Sequence, residues 1–375
     1  MKKILVFYSS YGGGHLSAAK SIENHIKNNY SDIEIKLVDC IEYINKHLNK
    51  LLSDSYNEAA KKIPFAWKTA YHLANDGLTS KAVTTSNRLF SIKLNTLLQD
   101  FCPDLIISTH PFGTQMCGFL KKKGKIDCKL ATILTDFHIH GQWLAFHEYC
   151  DFFFVANNQM KSDMIEYGIK EDKIFVSGIP VSDKFQQDYD RKQIAQEFNL
   201  NPDEQIVLFF AGGEFGLGNK TTVMVLKSLI RLFSKLQVVA ISGKNPKMKA
   251  KFEELVKNTD SEERIKVLEY TDKVPELMSV SSFVITKPGG LTSTESLTSH
   301  LPMILINPIP GQEEENAEFL VEKGVAVWIK KNDNIARVLK NLYRDPHKLA
   351  LMKENTLSLA KPNSTESICK VLLME

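Results

Sequence analysis

One pattern limits the possible folds of this chain more than any other. Short apolar runs of strand length alternate with helical lengths, and the alternation starts twice. The first start is Ile4 to Tyr8, followed by Gly12-Gly13-Gly14-His15 and a helix from about Leu16 to Lys27. The second is Ile206 to Phe210, followed by the glycine-rich turn Ala211 to Gly218 and a helix from Asn219 to Phe233. Further strands are predicted at Ile33 to Val38, Asp104 to Ser108, Leu130 to Leu134 and Phe152 to Val155 in the first series. The second series continues at Val238 to Ile241, Ile265 to Leu268, Phe283 to Ile285, Met303 to Ile306 and Ala326 to Trp328. Short strands that are apolar on both faces need helices over both, which makes a parallel sheet. At 375 residues the chain exceeds one ordinary core. The expectation is α/β: two Rossmann-like doubly wound domains, residues 1–180 and 181–375, joined near Gly178-Ile179-Pro180-Val181. Such domains are expected to face a cleft at their strand C-terminal edges, where ligands bind in this architecture.

The most informative segment runs from Thr286 to Ala317. A strand stops at Lys287-Pro288-Gly289-Gly290 and a helix follows from Leu291, so free backbone N–H groups and the helix dipole favour an anion such as a phosphate there. Glu295 lies one turn in, too far to cap the helix but able to accept hydrogen bonds from a ribose. The next strand ends at Pro310-Gly311 and delivers Gln312, Glu313 and Asn316 to the same region. Two polar clusters at consecutive strand ends describe a nucleotide-sugar pocket better than a core. Gly213 in the second glycine turn, Ser242-Gly243 at another strand end, Val274 and Thr292 complete the expected donor side.

The first half supplies the facing set. Gly12-Gly13-Gly14-His15 is neither a dinucleotide fingerprint nor a P-loop, but its glycines allow a ligand close to the backbone at a helix start. His15 is placed there as a general base or as a donor to an oxygen. Thr135-Asp136-Phe137-His138-Ile139-His140-Gly141-Gln142-Trp143 follows another strand end. Asp136 is expected either to orient His15 or to take a proton itself. His110 and Trp143 are expected on the acceptor side with Gly13 and Gly14, although a structural turn at His110 and a core position for Trp143 are equally compatible with the sequence. The spacing of His138, His140 and Asp136 is not that of a metal site.

Composition excludes several classes. No run of about 18 apolar residues is present, so no membrane span is expected. The six cysteines are scattered without CxxC spacing, as in a reduced cytoplasmic protein, and no metal cofactor is expected. The net charge of +3 is uneven. Lys46 to Lys93 holds eight bases against three acids, and Lys121-Lys122-Lys123-Gly124-Lys125 adds a second cluster. Neither has the aromatic spacing of a nucleic-acid platform, and an anionic membrane surface is the alternative to a solvated face. Residues 39–100 read as a mainly helical insertion, in part core and in part suited to a membrane or an acyl chain.

Four motifs together carry a resemblance: Tyr-Gly-Gly-Gly-His at 11–15, Thr-Asp-Phe-His-Ile-His-Gly-Gln-Trp at 135–143, Thr-Lys-Pro-Gly-Gly-Leu-Thr at 286–292 with Glu295, and Pro-Gly-Gln-Glu-Glu-Glu-Asn-Ala at 310–317. The chain is similar over nearly its whole length to the diacylglycerol glycosyltransferases, namely the monogalactosyldiacylglycerol synthases and processive diacylglycerol β-glucosyltransferases of glycosyltransferase family 28. It more distantly resembles the bacterial N-acetylglucosaminyltransferase of peptidoglycan lipid intermediates. The resemblance implies a glycosyltransferase-B fold, a diacylglycerol acceptor in the N-terminal domain, a UDP-hexose in the C-terminal one, no metal, and an enzyme peripherally bound at the inner face of the cell membrane. It implies a catalytic or phosphate-contacting role for His15, a base in Asp136, a ribose ligand in Glu295, and sugar contacts from Gln312 and Glu313. Transfer to a polyprenyl-linked acceptor, a UDP-sugar epimerase and a non-catalytic UDP-sugar sensor remain as alternatives, and the choice between glucose and galactose stays open.

Overall fold

The computed structural model describes residues 1–10, 13–44, 91, 93–211 and 219–374. Gly12, Gly213 and most of the expected insertion, including Lys61, Lys62 and Lys68, lie outside the described residues. The chain divides into two compact units. The first comprises Met1–Ser182, Pro310–Gln312 and Lys361–Glu375, and the second Asp183–Ile309 and Glu313–Ala360.

The first unit is built on six parallel strands: β1 (Lys2–Tyr8), β2 (Ile33–Asp39), β3 (Leu105–Ser108), β4 (Lys129–Ile133), β5 (Phe152–Phe154) and β6 (Ile174–Phe175), in the order β2-β1-β3-β4-β5-β6. Ile4, Val6, Ile107, Ile133 and Phe154 form one face of the core with Ile22 and Ile26 of the helix Gly14–Asn29. The helix Ser364–Met374 closes that face with Ile368, Cys369 and Leu372. Ser364 Oγ donates to the Ile179 carbonyl at 2.8 Å and Thr365 Oγ1 to that of Val181 at 2.8 Å, which fixes the chain's last helix to this unit. The strand expected to end at Pro180 is the two-residue β6, which stops at Phe175 and is too short to show a period of two.

The second unit repeats the plan with β7 (Ile206–Phe210), β8 (Gln237–Ile241), β9 (Ile265–Leu268), β10 (Phe283–Thr286), β11 (Met303–Leu305) and β12 (Ala326–Trp328), in the order β12-β11-β10-β7-β8-β9. Val207, Phe209, Val238, Ala240, Ile285 and Ile304 are buried in its core. Each sheet reverses its direction of growth once, between β1 and β3 in the first and between β7 and β10 in the second. At such a point the loops after neighbouring strands leave in opposite directions and open a crevice for a ligand.

Candidate active site

In the first unit β1, β3 and β4 are neighbours, so the segments after them share one edge of the sheet. The β1 segment contains Gly13, whose φ of 67° is the left-handed conformation that a side chain disfavours. No atom would meet a Cβ there within 4 Å, so conformation and not space demands the glycine. The helix Gly14–Asn29 then begins without a side-chain cap.

His15 is the second residue of that helix. Its Nδ1 lies 2.6 Å from the Thr109 carbonyl, an atom that can only accept, so Nδ1 carries the ring proton. Thr135 Oγ1, 3.1 Å away, shares it, and Thr109 Oγ1 returns a bond to the His15 carbonyl at 2.9 Å. Burial lowers the His15 pKa to about 4, against the opposing pull of the Thr109 carbonyl. The ring is therefore neutral near pH 7, with a lone pair on Nε2. Asp136 was expected either to orient His15 or to take a proton itself, and no bond between the two side chains is among those of His15. The ring is oriented by the Thr109 main-chain carbonyl and the Thr135 hydroxyl, from the ends of two neighbouring strands.

His110 follows β3 and is the N-cap of the helix Pro111–Lys122, accepting the Phe112 N–H on Nδ1 at 3.3 Å. Its ring stands edge-on to His15, with centroids 4.6 Å apart. Burial, then the neighbouring His15 and His140, holds its pKa well below the ordinary value. After β4, the buried Asp136 has Oδ2 3.8 Å from His140 Nε2. Burial keeps the His140 pKa at about 3, so a neutral imidazole and not an imidazolium faces that carboxyl. Trp143 is 0% exposed and lies 5.8 Å from His140, ring to ring. It is a core residue behind His140, which corrects its expected place on the acceptor surface. Sequence reasoning also missed Asp39. Its buried carboxylate accepts from Ser10 N at 2.8 Å and from Ile41 and Glu42 N at 3.0 Å, tying the end of β2 to the start of the glycine loop.

In the second unit Lys287-Pro288-Gly289 leads from β10 into the helix Gly290–Thr298, which has no side-chain cap. Its first N–H groups are thus left for an acceptor from outside the helix. A Cβ on Gly289 would meet only Glu313 Oε1, at 3.9 Å, so its absence leaves the helix start open. Thr292 is half-buried in the first turn. Glu295 is half-buried, its carboxyl has no hydrogen-bond partner among the described residues, and burial raises its pKa to about 8.

The segment after β11 locks onto this one. Glu313 Oε2 accepts from Ile309 N at 2.6 Å, and its Oε1 lies 3.6 Å from Lys287 Nζ. The fully buried Asn316 donates from Nδ2 to the Pro288 carbonyl at 3.2 Å. Glu313 and Asn316, expected as donor contacts, therefore also hold the Lys287–Gly290 turn in place. Half-buried Gln312 opens the helix Gln312–Glu322. Ser242 is 0% exposed, and its N–H and Oγ both donate to the Leu268 carbonyl, at 2.8 and 2.9 Å. Gly243 turns the chain with φ 61°, and half-buried Val274 begins the helix Val274–Val280. Among the described residues no group of three or more His, Cys, Asp or Glu is disposed to hold a metal ion.

Comparison with known proteins assigns both units. Residues 15–181 match the model of monogalactosyldiacylglycerol (MGDG) synthase, and residues 207–368 that of the glycosyltransferase family 28 C-terminal domain. A protein of Bacillus pumilus named processive diacylglycerol beta-glucosyltransferase is 30% identical over 374 residues, covering 98% of this chain and 93% of that protein. One of Staphylococcus saprophyticus with the same name is 31% identical over 375 residues, covering 99% and 92%. Among solved structures, UDP-GlcNAc 2-epimerase from Neisseria meningitidis bound to UDP-GlcNAc aligns with a TM-score of 0.66 at 18% identity, over 100% of each chain. Acinetobacter baumannii MurG aligns at 0.64 and 14% identity, again over 100% of each. These structural likenesses are of fold, the two-domain glycosyltransferase-B arrangement. The chain is a glycosyltransferase and belongs to the family 28 group of monogalactosyldiacylglycerol synthases and processive diacylglycerol glucosyltransferases.

Proposed function

We propose that this chain transfers a hexose from a UDP-sugar to the hydroxyl of 1,2-diacylglycerol with inversion, making a β-glycosyldiacylglycerol, without a metal and while peripherally bound to an anionic membrane surface. The observation that carries the mechanism is the 2.6 Å contact of His15 Nδ1 with the Thr109 carbonyl, which puts the ring proton on Nδ1 and leaves Nε2 as the proton acceptor. A conjugate-acid pKa of about 4 makes His15 a weak base for a free alcohol. It suffices where the transition state is oxocarbenium-like, because the acceptor oxygen becomes strongly acidic as it bonds to the anomeric carbon. Proton transfer can then follow bond formation, and alignment contributes more than base strength.

The donor is assigned to the second unit. The uncapped start of the helix Gly290–Thr298 receives the diphosphate, with Lys287 beside it and Glu295 on the ribose. Fixed N–H dipoles and one ammonium are the means proposed for stabilising the departing UDP in place of a metal. Membrane contact is assigned to the basic sequence 46–93 and not to Lys121–Lys125. Lys121 is held by Asp151 Oδ2 at 2.7 Å, and its cluster ends the helix that His110 begins, about 18 Å away along the axis.

The test is to incubate the purified chain with radiolabelled UDP-glucose or UDP-galactose and diacylglycerol in anionic vesicles, separate the lipids and digest the product with β-specific glycosidases. A β-glycolipid is expected with one donor. UDP binding without glycolipid from either donor would reject the transferase and favour a sensor.

A further inference from the structure

We propose that His110 is a second ligand of the acceptor hydroxyl, donating from Nε2–H to the oxygen whose proton passes to His15 Nε2. This rests on the assignment of His15 as the base. The two imidazoles are held in opposite tautomers. Nδ1 of His15 faces a carbonyl and must donate, so its Nε2 offers a lone pair. Nδ1 of His110 receives the Phe112 N–H and must accept, so its Nε2 bears the proton. Neither Nε2 has a hydrogen-bond partner among the described residues. The rings meet edge-on with centroids 4.6 Å apart and an interplanar angle of 81°, so both rings lie within range of one small group.

A hydroxyl is the group that such a pair fits, since it gives one proton and accepts at the same atom. An ammonium would leave the His110 N–H facing a cation. A fully ionised phosphate would place negative charge against the lone pair of His15. The arrangement also explains how a weak base can serve. With the proton directed to His15 and one lone pair held by His110, the remaining lone pair of the oxygen has one direction left, toward the anomeric carbon. In the reaction the new C–O bond forms as the anomeric C–O bond to the diphosphate breaks. The hydroxyl proton ends on His15 Nε2, and His110 keeps its own.

His110 also caps a helix, so the test must separate the two roles. Ser and Asn are both good N-caps, and Ser carries no donor of the right length. His110→Ser and His110→Asn are assayed in diacylglycerol mixed micelles for kcat/KM toward diacylglycerol, KM for the UDP-sugar, and Tm. For His110→Ser, kcat/KM toward diacylglycerol is expected to fall about 10-fold or more, with Tm and donor KM unchanged. His110→Asn, with its shorter amide donor, should recover part of the loss. A His110→Ser enzyme within about 2-fold of wild type, or one whose loss tracks a lower Tm or a weaker donor KM, would overturn the proposal alone. Wild-type protein that makes no glycolipid would instead remove the transferase function and the proposal with it.

Discussion

Glu295 carries a carboxyl that is neutral at pH 7 in the free protein, because burial raises its pKa to about 8 and no described group stabilises its charge. A ribose would present two hydroxyl donors, which an ionised carboxylate accepts better than a carboxylic acid does. Donor binding should therefore expel the proton. The free form binds one more proton than the complex, so donor affinity rises with pH and levels off above the free pKa. UDP-sugar KM at saturating acceptor is expected to fall by up to about tenfold per pH unit on approaching pH 8 from below. Glu295→Gln should raise KM and flatten that profile, and a flat wild-type profile would take Glu295 out of the donor site. His15, neutral down to about pH 4, should contribute no acid limb near pH 6.5.

At the scale of the element, the helix Pro111–Lys122 sits so close to its sheet that Gly113 has no room for a side chain. A Cβ there would stand 2.4 Å from Ser108 Oγ and 2.9 Å from Phe7 Cβ. Gly113→Ala should push the helix start, and His110 with it, away from β1 and β3. Overpacking of this kind costs about 1–3 kcal/mol, and a matching drop in stability with reduced turnover on diacylglycerol is expected in urea melts and initial rates. The elements themselves were legible in the sequence because they depend on short-range patterns. Apolar runs of four or five residues and two glycine turns place most strands and the helices that follow those turns within a few residues. The roles of Thr109, Thr135 and Asp39 were not legible. Each is one polar residue at a strand end, and its partner is set by which strand lies next to which, information that periodicity does not hold. The double duty of Glu313 and Asn316 was hidden for the same reason, since the order β11-β10-β7 brings their turn against Pro288.

At the scale of the molecule, the groups that burial shifts furthest should drive the two units in opposite directions in acid. His300 of the second unit, whose pKa burial lowers, offsets part of the Glu295 effect. His15, His110 and His140 in the first unit have pKa values depressed by burial below the usual 6.5. As pH falls from 6.5 toward 4 the unfolded chain takes up protons that the folded unit refuses, so the first unit loses stability. Each group contributes a slope approaching about 1.4 kcal/mol per pH unit in that window. Glu295 acts the other way on the second unit. Its raised pKa means that stability is gained as pH falls from 8 toward 4.5. Acid should therefore unfold the first unit ahead of the second. The helix Ser364–Met374 should leave with it, since Ile368, Cys369 and Leu372 lie in the first unit's core and Lys2 Nζ donates to the Leu372 carbonyl at 3.2 Å. The preceding helix Pro346–Leu359 belongs to the second unit, where Met352 is buried in the core. Hydrogen exchange stepped down from neutral pH, corrected for the intrinsic exchange rate, should show residues 364–374 losing protection together with β1 and β3. Residues 346–359 should keep theirs together with β7 and β8. Protection lost across both helices at one pH would show instead that the chain unfolds as a single cooperative body.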